Sequence, residues 1–298
     1  MENMSGDDTD SKLSSGELRL EITANPGLQI SQEDLNNPSL SYPLKFALVD
    51  KKPCRGICLL INQRDFLACT GQGRRDGTDV DADRIERLFK HIGYSVLRNF
   101  NVDTKRFERL LSDVAQYDHS NFESFVCVIL SHGCNGIIFA TDGEIPAERV
   151  VAPFKGDRCR TLVGKPKLFF IQACRGMTFD KGVPLPWSTD SVAGDVLVTK
   201  IPVESDILVV HSTVPGFYAW RNSLNGSWFI QELCRVLEED VEKPEHHDIM
   251  TLLTVVARCV AFAYRSNTGQ ADSHNMTQMI QITSTLTRLM YLTKFPKP

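Results

Sequence analysis

The chain has 298 residues, 42% of them hydrophobic, with 33 Lys and Arg against 37 Asp and Glu for a net charge of −4. One α/β unit plus a tail accounts for that length, because such units commonly reach ~250 residues, and the near-balanced charge excludes a general attraction to nucleic acid or an anionic membrane. No apolar run approaches the ~18 residues of a membrane span or has the form of a signal peptide. The nine cysteines are odd in number and lack paired C-x-x-C spacing, which argues for free thiols in a reducing compartment, cytosolic or nuclear, and against a disulfide framework or a structural zinc site.

Residues 1–40 are polar, rich in Ser, Asp, Asn and Gly, and show no sustained helical or strand period, so a disordered leader is expected. From Arg55 the pattern changes. Residues 56–61 form a short apolar run, and Ile85, Leu88, Phe89 and Ile92 then recur at helical spacing. A strand is expected over 95–100, then a helix carrying Phe107, Leu110, Leu111 and Val114 behind a cap at Asp103 or Thr104. Strands follow at 125–130 and 167–171. Between 178 and 200 the periodicity stops at Gly182, Pro184, Pro186 and Gly194, which marks a linker. Beyond it come a strand over 206–211, a helix over 228–239, a longer apolar helix over 248–264 and a last strand over 279–283. Strands alternating with helices predict an α/β fold with a mostly parallel central sheet and helices on both faces.

Two of these strands end in reactive side chains. Residues 167–171 run into Gln172-Ala173-Cys174-Arg175-Gly176, and 125–130 run into Ser131-His132-Gly133. At the carboxyl edge of a parallel sheet a thiol and an imidazole meet where α/β folds place their sites. A Cys nucleophile needs a base and backbone N–H donors for the developing oxyanion, and Gly133, having no Cβ, permits close backbone approach. His132, Cys174 and Gly133 therefore form a candidate cysteine-peptidase centre. A third triad member is not evident from spacing; a carbonyl of the 71–73 loop is the candidate for orienting the imidazole. This chemistry calls for no metal and no cofactor.

The pentapeptide, with His132 lying 42 residues before Cys174, resembles the signature of the caspase family. The resemblance runs from about Arg55 to Phe295, through Arg75-Asp76-Gly77-Thr78-Asp79-Val80-Asp81, Gly164-Lys165-Pro166-Lys167-Leu168-Phe169, Ile201-Pro202-Val203-Glu204, Trp220-Arg221-Asn222 and Gly226-Ser227-Trp228-Phe229-Ile230-Gln231. Arginine forks bind carboxylates bidentately, and Arg75, Gln172 and Arg221 match the residues lining the family's pocket for aspartate. By the same resemblance Tyr218 and Trp220 wall the second substrate pocket. Asn222 and Trp228 narrow the fourth for a short acid, as in effector caspases that prefer Asp-x-x-Asp. Two departures stand out: residues 265–275 lack the Phe residues that effector caspases carry there, and Ala219 replaces a frequent Ser or Thr. Arg175 reads as structural.

The resemblance also implies a layout and a set of partners. Residues 1–40 correspond to a prodomain, 41–190 to a large-subunit part, 178–200 to an intersubunit linker and 196–298 to a small-subunit part. Cleavage is expected after Asp190 and/or Asp195, with leader removal after Asp10. The strand around Ile280 and Ile282 resembles the edge that continues the sheet across a homodimer. Protein substrates with exposed Asp-containing loops, an upstream initiator caspase and inhibitor-of-apoptosis-type proteins are the implied partners. An initiator-like caspase with broader fourth-position preference and an inactive regulatory homologue remain open, the latter opposed by retention of both His132 and Cys174. A metacaspase-like preference for basic residues is disfavoured by Arg75 and Arg221.

Overall fold

Among the described residues six strands hydrogen-bond into one sheet: β1 (Gly56–Asn62), β2 (Tyr94–Phe100), β3 (Ser124–Leu130), β4 (Lys167–Gln172), β5 (Ile207–His211) and β6 (Gln281–Ser284). The computed structural model describes residues 40–49, 52–134, 136–176, 178–180, 202–268, 270 and 272–293. Asp10, Asp190, Asp195, the leader up to residue 39 and most of the expected linker lie outside the described residues. The sheet order is β6-β5-β4-β3-β1-β2, parallel throughout except for β6, which runs antiparallel to β5.

Among the described residues four long helices cover the sheet: α1 (Thr78–His91), α2 (Thr104–Gln116), α3 (Trp228–Val241) and α4 (Ile249–Ala263). Every residue of β1, β3 and β4 is buried, which explains why those strands read as continuous rather than alternating apolar runs. Alternation reappears in which core each residue enters. Cys58, Leu60, Val126, Val128, Leu168 and Phe170 pack with α1, α3 and α4, while Ile57, Leu59, Phe125, Cys127, Phe169 and Ile171 pack with α2 and Phe154 on the other face. The expected helices-on-both-faces arrangement is present.

The helix starts follow local chemistry. Asp103 caps α2 by accepting from the Arg106 N–H at 2.6 Å, and Asp248 caps α4 through the Met250 and Thr251 N–H groups at 3.0 and 3.4 Å. The last strand begins at Gln281 rather than 279, because the residues before it serve the site: Gln278 Nε2 donates to the Ser212 carbonyl at 2.7 Å and its Oε1 accepts from the Trp220 N–H at 2.6 Å. Small antiparallel additions at 47–54, 133–146 and 221–227 carry no periodic signal long enough to read from sequence. None of the described helices is long and apolar enough to cross a membrane.

One buried ion pair joins the start of the sheet to the end of the chain. Arg55, fully buried just ahead of β1, donates through Nε and Nη2 to Glu123 at 3.2 and 2.5 Å, and also to the Tyr291 carbonyl at 3.0 Å and to that of Leu292. Removing one partner strands a desolvated charge. Glu123→Ala is expected to lower stability by about 3–5 kcal/mol in urea unfolding, and Arg55→Met combined with Glu123→Leu by less than that.

Candidate active site

The parallel register of β3 and β4 sets Leu130 opposite Gln172, so the two chains leave the sheet side by side. Two residues farther along each chain stand His132 and Cys174. The exit is pinned by the Ser131 N–H on the Gln172 carbonyl at 3.0 Å and by Ser212. Its Oγ accepts from the Ala173 N–H at 3.2 Å and donates to the Ala173 carbonyl at 3.0 Å. Gly133 has no room for a side chain: a Cβ there would lie 2.7 Å from the Cys174 carbonyl oxygen. Its neighbour pair His132–Phe139 is hydrogen-bonded at 3.0 Å, so Gly133 occupies a non-bonded position opposite Ile138 and its N–H points out of the hairpin.

His132 Nε2 lies 2.8 Å from the Gly73 carbonyl, as expected for a loop carbonyl orienting the imidazole. That contact places the proton on Nε2 in the neutral ring and leaves Nδ1 as the basic nitrogen. Burial pulls the imidazole down to about 4, against the Gly73 carbonyl and with the nearby Arg75 and Arg221 adding to the depression. Burial likewise raises the Cys174 thiol, although the Ala219 backbone and both arginines oppose it. The sulfur is engaged with Ala219, 3.5 Å from its N–H and 3.9 Å from its carbonyl. Burial thus favours the uncharged form of both groups.

Two arginines lie near this pair, close enough to bear on both groups. Arg75 is fully buried and spends only Nη1, which donates to the Gln63 carbonyl at 2.9 Å and to Thr78 Oγ1 at 2.6 Å. Among the described residues its Nε and Nη2 have no partner, and neither does Oε1 of the buried Gln172. Burial and then the Arg221 charge depress the Arg75 guanidinium to about 9, which still leaves it protonated at neutral pH. Arg221 donates Nε to the Asp76 carbonyl at 2.8 Å and sits at the start of the 221–227 hairpin. Asp81 holds that hairpin to α1, accepting from the Ser227 N–H and Oγ at 2.8 and 2.6 Å. Gly226, at φ +87°, is the partner that makes this possible, since a Cβ there would fall 2.2 Å from Asp81 Oδ1.

The aromatic residues also gather. Tyr218 meets Trp220 edge-on at 5.2 Å, Trp220 stacks on Trp228 at 5.7 Å, and Trp228 stacks on Tyr264 at 5.1 Å. Asn222 turns its Oδ1 into its own hairpin, accepting from the Leu224 and Asn225 N–H groups at 2.8 and 3.0 Å, so only its amide Nδ2 is left to meet an acid. Phe179, placed within the expected linker, stacks on Trp220 at 5.4 Å and approaches Tyr218 at 5.5 Å. Thr178 and Asp180 anchor that segment through the Tyr218 and Thr277 N–H groups at 3.0 and 2.9 Å. Arg175 bridges to Gln281 of β6. Every proposed pocket residue therefore falls in one region. Asp81, Ser212, Gln278 and Phe179 support it without having been singled out, since nothing local to them signals long-range partners.

The Caspase domain profile matches residues 55–291. Caspase-3 of Bos taurus is 44% identical over 240 residues, covering 80% of this chain and 85% of that protein. Caspase-7 of Gallus gallus is 40% identical over 268 residues, covering 88% and 82%. The chain belongs to the caspase family. The crystal structure of caspase-1 from Spodoptera frugiperda superposes with a TM-score of 0.76 at 35% identity, over 87% of this chain and 95% of that one. The protein is a cysteine-type endopeptidase that cleaves protein chains after aspartate in apoptosis.

Burial that favours the uncharged forms has a kinetic signature. Iodoacetamide alkylation of Cys174 should quicken about tenfold per pH unit from about pH 6 to about pH 8, as the thiolate fraction grows. A rate already on its plateau at about pH 6 would mean a preformed thiolate.

Proposed function

We propose that Cys174 is the acylated nucleophile, His132 the general base and acid, and the Gly133 and Cys174 N–H groups the oxyanion donors. In this reading His132 Nδ1 takes the thiol proton as sulfur attacks the aspartate's own carbonyl carbon. It returns that proton to the leaving amine, and a water activated by the same nitrogen then releases the acyl group. The tetrahedral oxygen gathers its charge where the two backbone donors converge. Because burial favours the uncharged form of both groups, proton transfer in this reading accompanies attack instead of preceding it.

The observation that carries the aspartate assignment is the Nε/Nη2 edge of buried Arg75, unbonded among the described residues. A fully buried guanidinium with one side unbonded, pressed by a second arginine, is stabilised by a carboxylate that bonds it bidentately. Arg221 and Gln172 complete the pocket. The second pocket is walled by Tyr218 and Trp220. Asn222 Nδ2 and the Trp220–Trp228 stack shape a fourth pocket suited to a short acid, hence an Asp-x-x-Asp preference and an executioner role.

The same reading divides the chain into a prodomain over 1–40, a large-subunit part over 41–190, a linker over 178–200 and a small-subunit part over 196–298. An upstream initiator caspase cuts after Asp190 and/or Asp195, and Asp10 is the leader site. Two cut chains join through β6, which lies at a sheet edge and bonds only β5 among the described residues. The location is cytoplasmic, extending to the nucleus, and inhibitor-of-apoptosis-type proteins are further partners.

Peptide substrates with Asp or Asn at the cleavage position test the pocket. Cys174→Ala is expected to abolish turnover, and Arg75→Lys or Arg221→Lys to lower kcat/KM for the Asp substrate about 100-fold or more while narrowing the Asp-over-Asn ratio. Loss of rate with an unchanged ratio would remove these arginines from the pocket. For activation, full-length Cys174→Ala protein should be cut at Asp190 faster by an initiator caspase than by the active wild-type enzyme; the reverse order would make the chain self-activating.

A further inference from the structure

The hairpin that begins at Gly133 brings a second thiol to the active centre. His132, Gly133 and Cys134 pair in turn with Phe139, Ile138 and Ile137, and Gly136, at φ +81°, lies in the turn between the two runs. Side chains on such a run alternate between faces, so Cys134 shares its face with the imidazole of His132. Gly133, between them, turns its other face to the end of β4: a Cβ there would lie 3.0 Å from Ala173 Cβ and 2.7 Å from the Cys174 carbonyl oxygen. Cys134 therefore stands one residue, ~3.8 Å along the chain, from a glycine packed on the Cys174 backbone, and a disulfide needs Cα atoms ~4.4–6.8 Å apart. Its rung with Ile137 is the last before the turn, so a small movement of the hairpin end disturbs little else. Two further observations agree. The charge of Cys134 bears on the Cys174 thiol. Both residues are partly exposed, whereas Cys54, Cys58, Cys127, Cys159 and Cys234 are buried out of reach of a dissolved oxidant.

We propose that Cys134 is a resolving thiol for Cys174, and that the two close into a reversible disulfide when hydrogen peroxide enters the active site. The proposal rests on Cys174 being the nucleophile. In the first step the Cys174 sulfur, giving its proton to His132 Nδ1, attacks one peroxide oxygen. The O–O bond breaks, the other oxygen takes up that proton and leaves as water, and the sulfur becomes a sulfenic acid. In the second step the Cys134 sulfur attacks the sulfenic sulfur. The S–S bond forms, the S–O bond breaks, and the departing hydroxide leaves as water with the Cys134 proton. Two thiols and one peroxide thus give one disulfide and two waters, the sulfurs losing the two electrons that the peroxide gains. With its sulfur occupied, Cys174 attacks no substrate. A sulfenic acid without a neighbouring thiol is open to further oxidation to sulfinic acid, which thiols do not reduce. Cys134 diverts that loss into a bond that a dithiol reopens, so the peptidase is switched off under oxidation and not destroyed.

Wild-type and Cys134→Ser enzymes, each normalised to its own untreated turnover of an Asp peptide, are exposed to hydrogen peroxide without added thiol and then to dithiothreitol. The wild type should regain about 80% or more of its activity and Cys134→Ser less than about 20%, with Cys174 of the variant recovered as sulfinic acid. Non-reducing peptide mapping of the oxidised wild type by mass spectrometry should show residues 134 and 174 in one linked pair, lighter by two hydrogens. Absence of that link overturns the proposal. So does equal recovery by the two proteins, or a Cys174 linked instead to another cysteine or to a second copy of the chain. The mapping needs no turnover, so a missing link is distinct from a failed assignment of Cys174 as nucleophile, which would show as residual turnover by Cys174→Ala.

Discussion

The pairing of β3 with β4 is the constraint on which the active centre rests. Both strands are buried on both faces, and their side chains interlock with two separate cores. Sliding one by a single residue would exchange every core assignment, driving Phe169 and Ile171 into the space shaped for Leu168 and Phe170. The register is therefore strongly enforced, and it places Leu130 beside Gln172. Everything catalytic follows within a few residues of that point: Ser131 ties across to Gln172, His132 and Cys174 emerge together, and Gly133 fits against the Cys174 carbonyl only because it lacks a Cβ.

Electrostatics then give this geometry its selectivity. Two guanidinium groups lie close enough to the imidazole and the thiol to act on both, holding His132 further down while drawing Cys174 toward its anion. Burial opposes the charged form of each and prevails in both. Arg75 is buried with one side of its fork unused, an arrangement that is costly alone and favourable once a carboxylate arrives. The same cations that recognise an acid thus tune the nucleophile beside it. Asp81, pushed up to about 6 by burial against its two Ser227 hydrogen bonds, fastens the Arg221 hairpin to α1 and keeps the second arginine in range of the first.

Most of the layered fold was legible in the chain. The apolar runs of β1, β3 and β4, the helical stripe of α2 with its Asp103 cap, and the long apolar α4 are local patterns dictated by burial and backbone geometry. The end of the chain was less so: β6 starts at Gln281 because Gln278 is taken by Ser212 and Trp220, partners 66 and 58 residues away in sequence. The short hairpins that carry Gly133 and Arg221 are two or three residues per strand, below the length at which alternation can be distinguished from chance. Phe179 was read only as part of a linker, since its stacking on Trp220 depends on how two distant segments meet.

From residue identity and spacing alone came the nucleophile, its partner imidazole, the strands that present them and, through resemblance, the arginines aimed at aspartate. These are legible because strand-end position and side-chain chemistry are local properties. Only the tertiary structure decided which charge forms burial favours at the centre and how its arginines are bonded among the described residues. It buried Arg75 with Nε and Nη2 unbonded, set the Gly73 carbonyl on His132 Nε2, and engaged Cys174 with Ala219. Such properties depend on desolvation and on partners contributed by distant segments, and no window of sequence contains them.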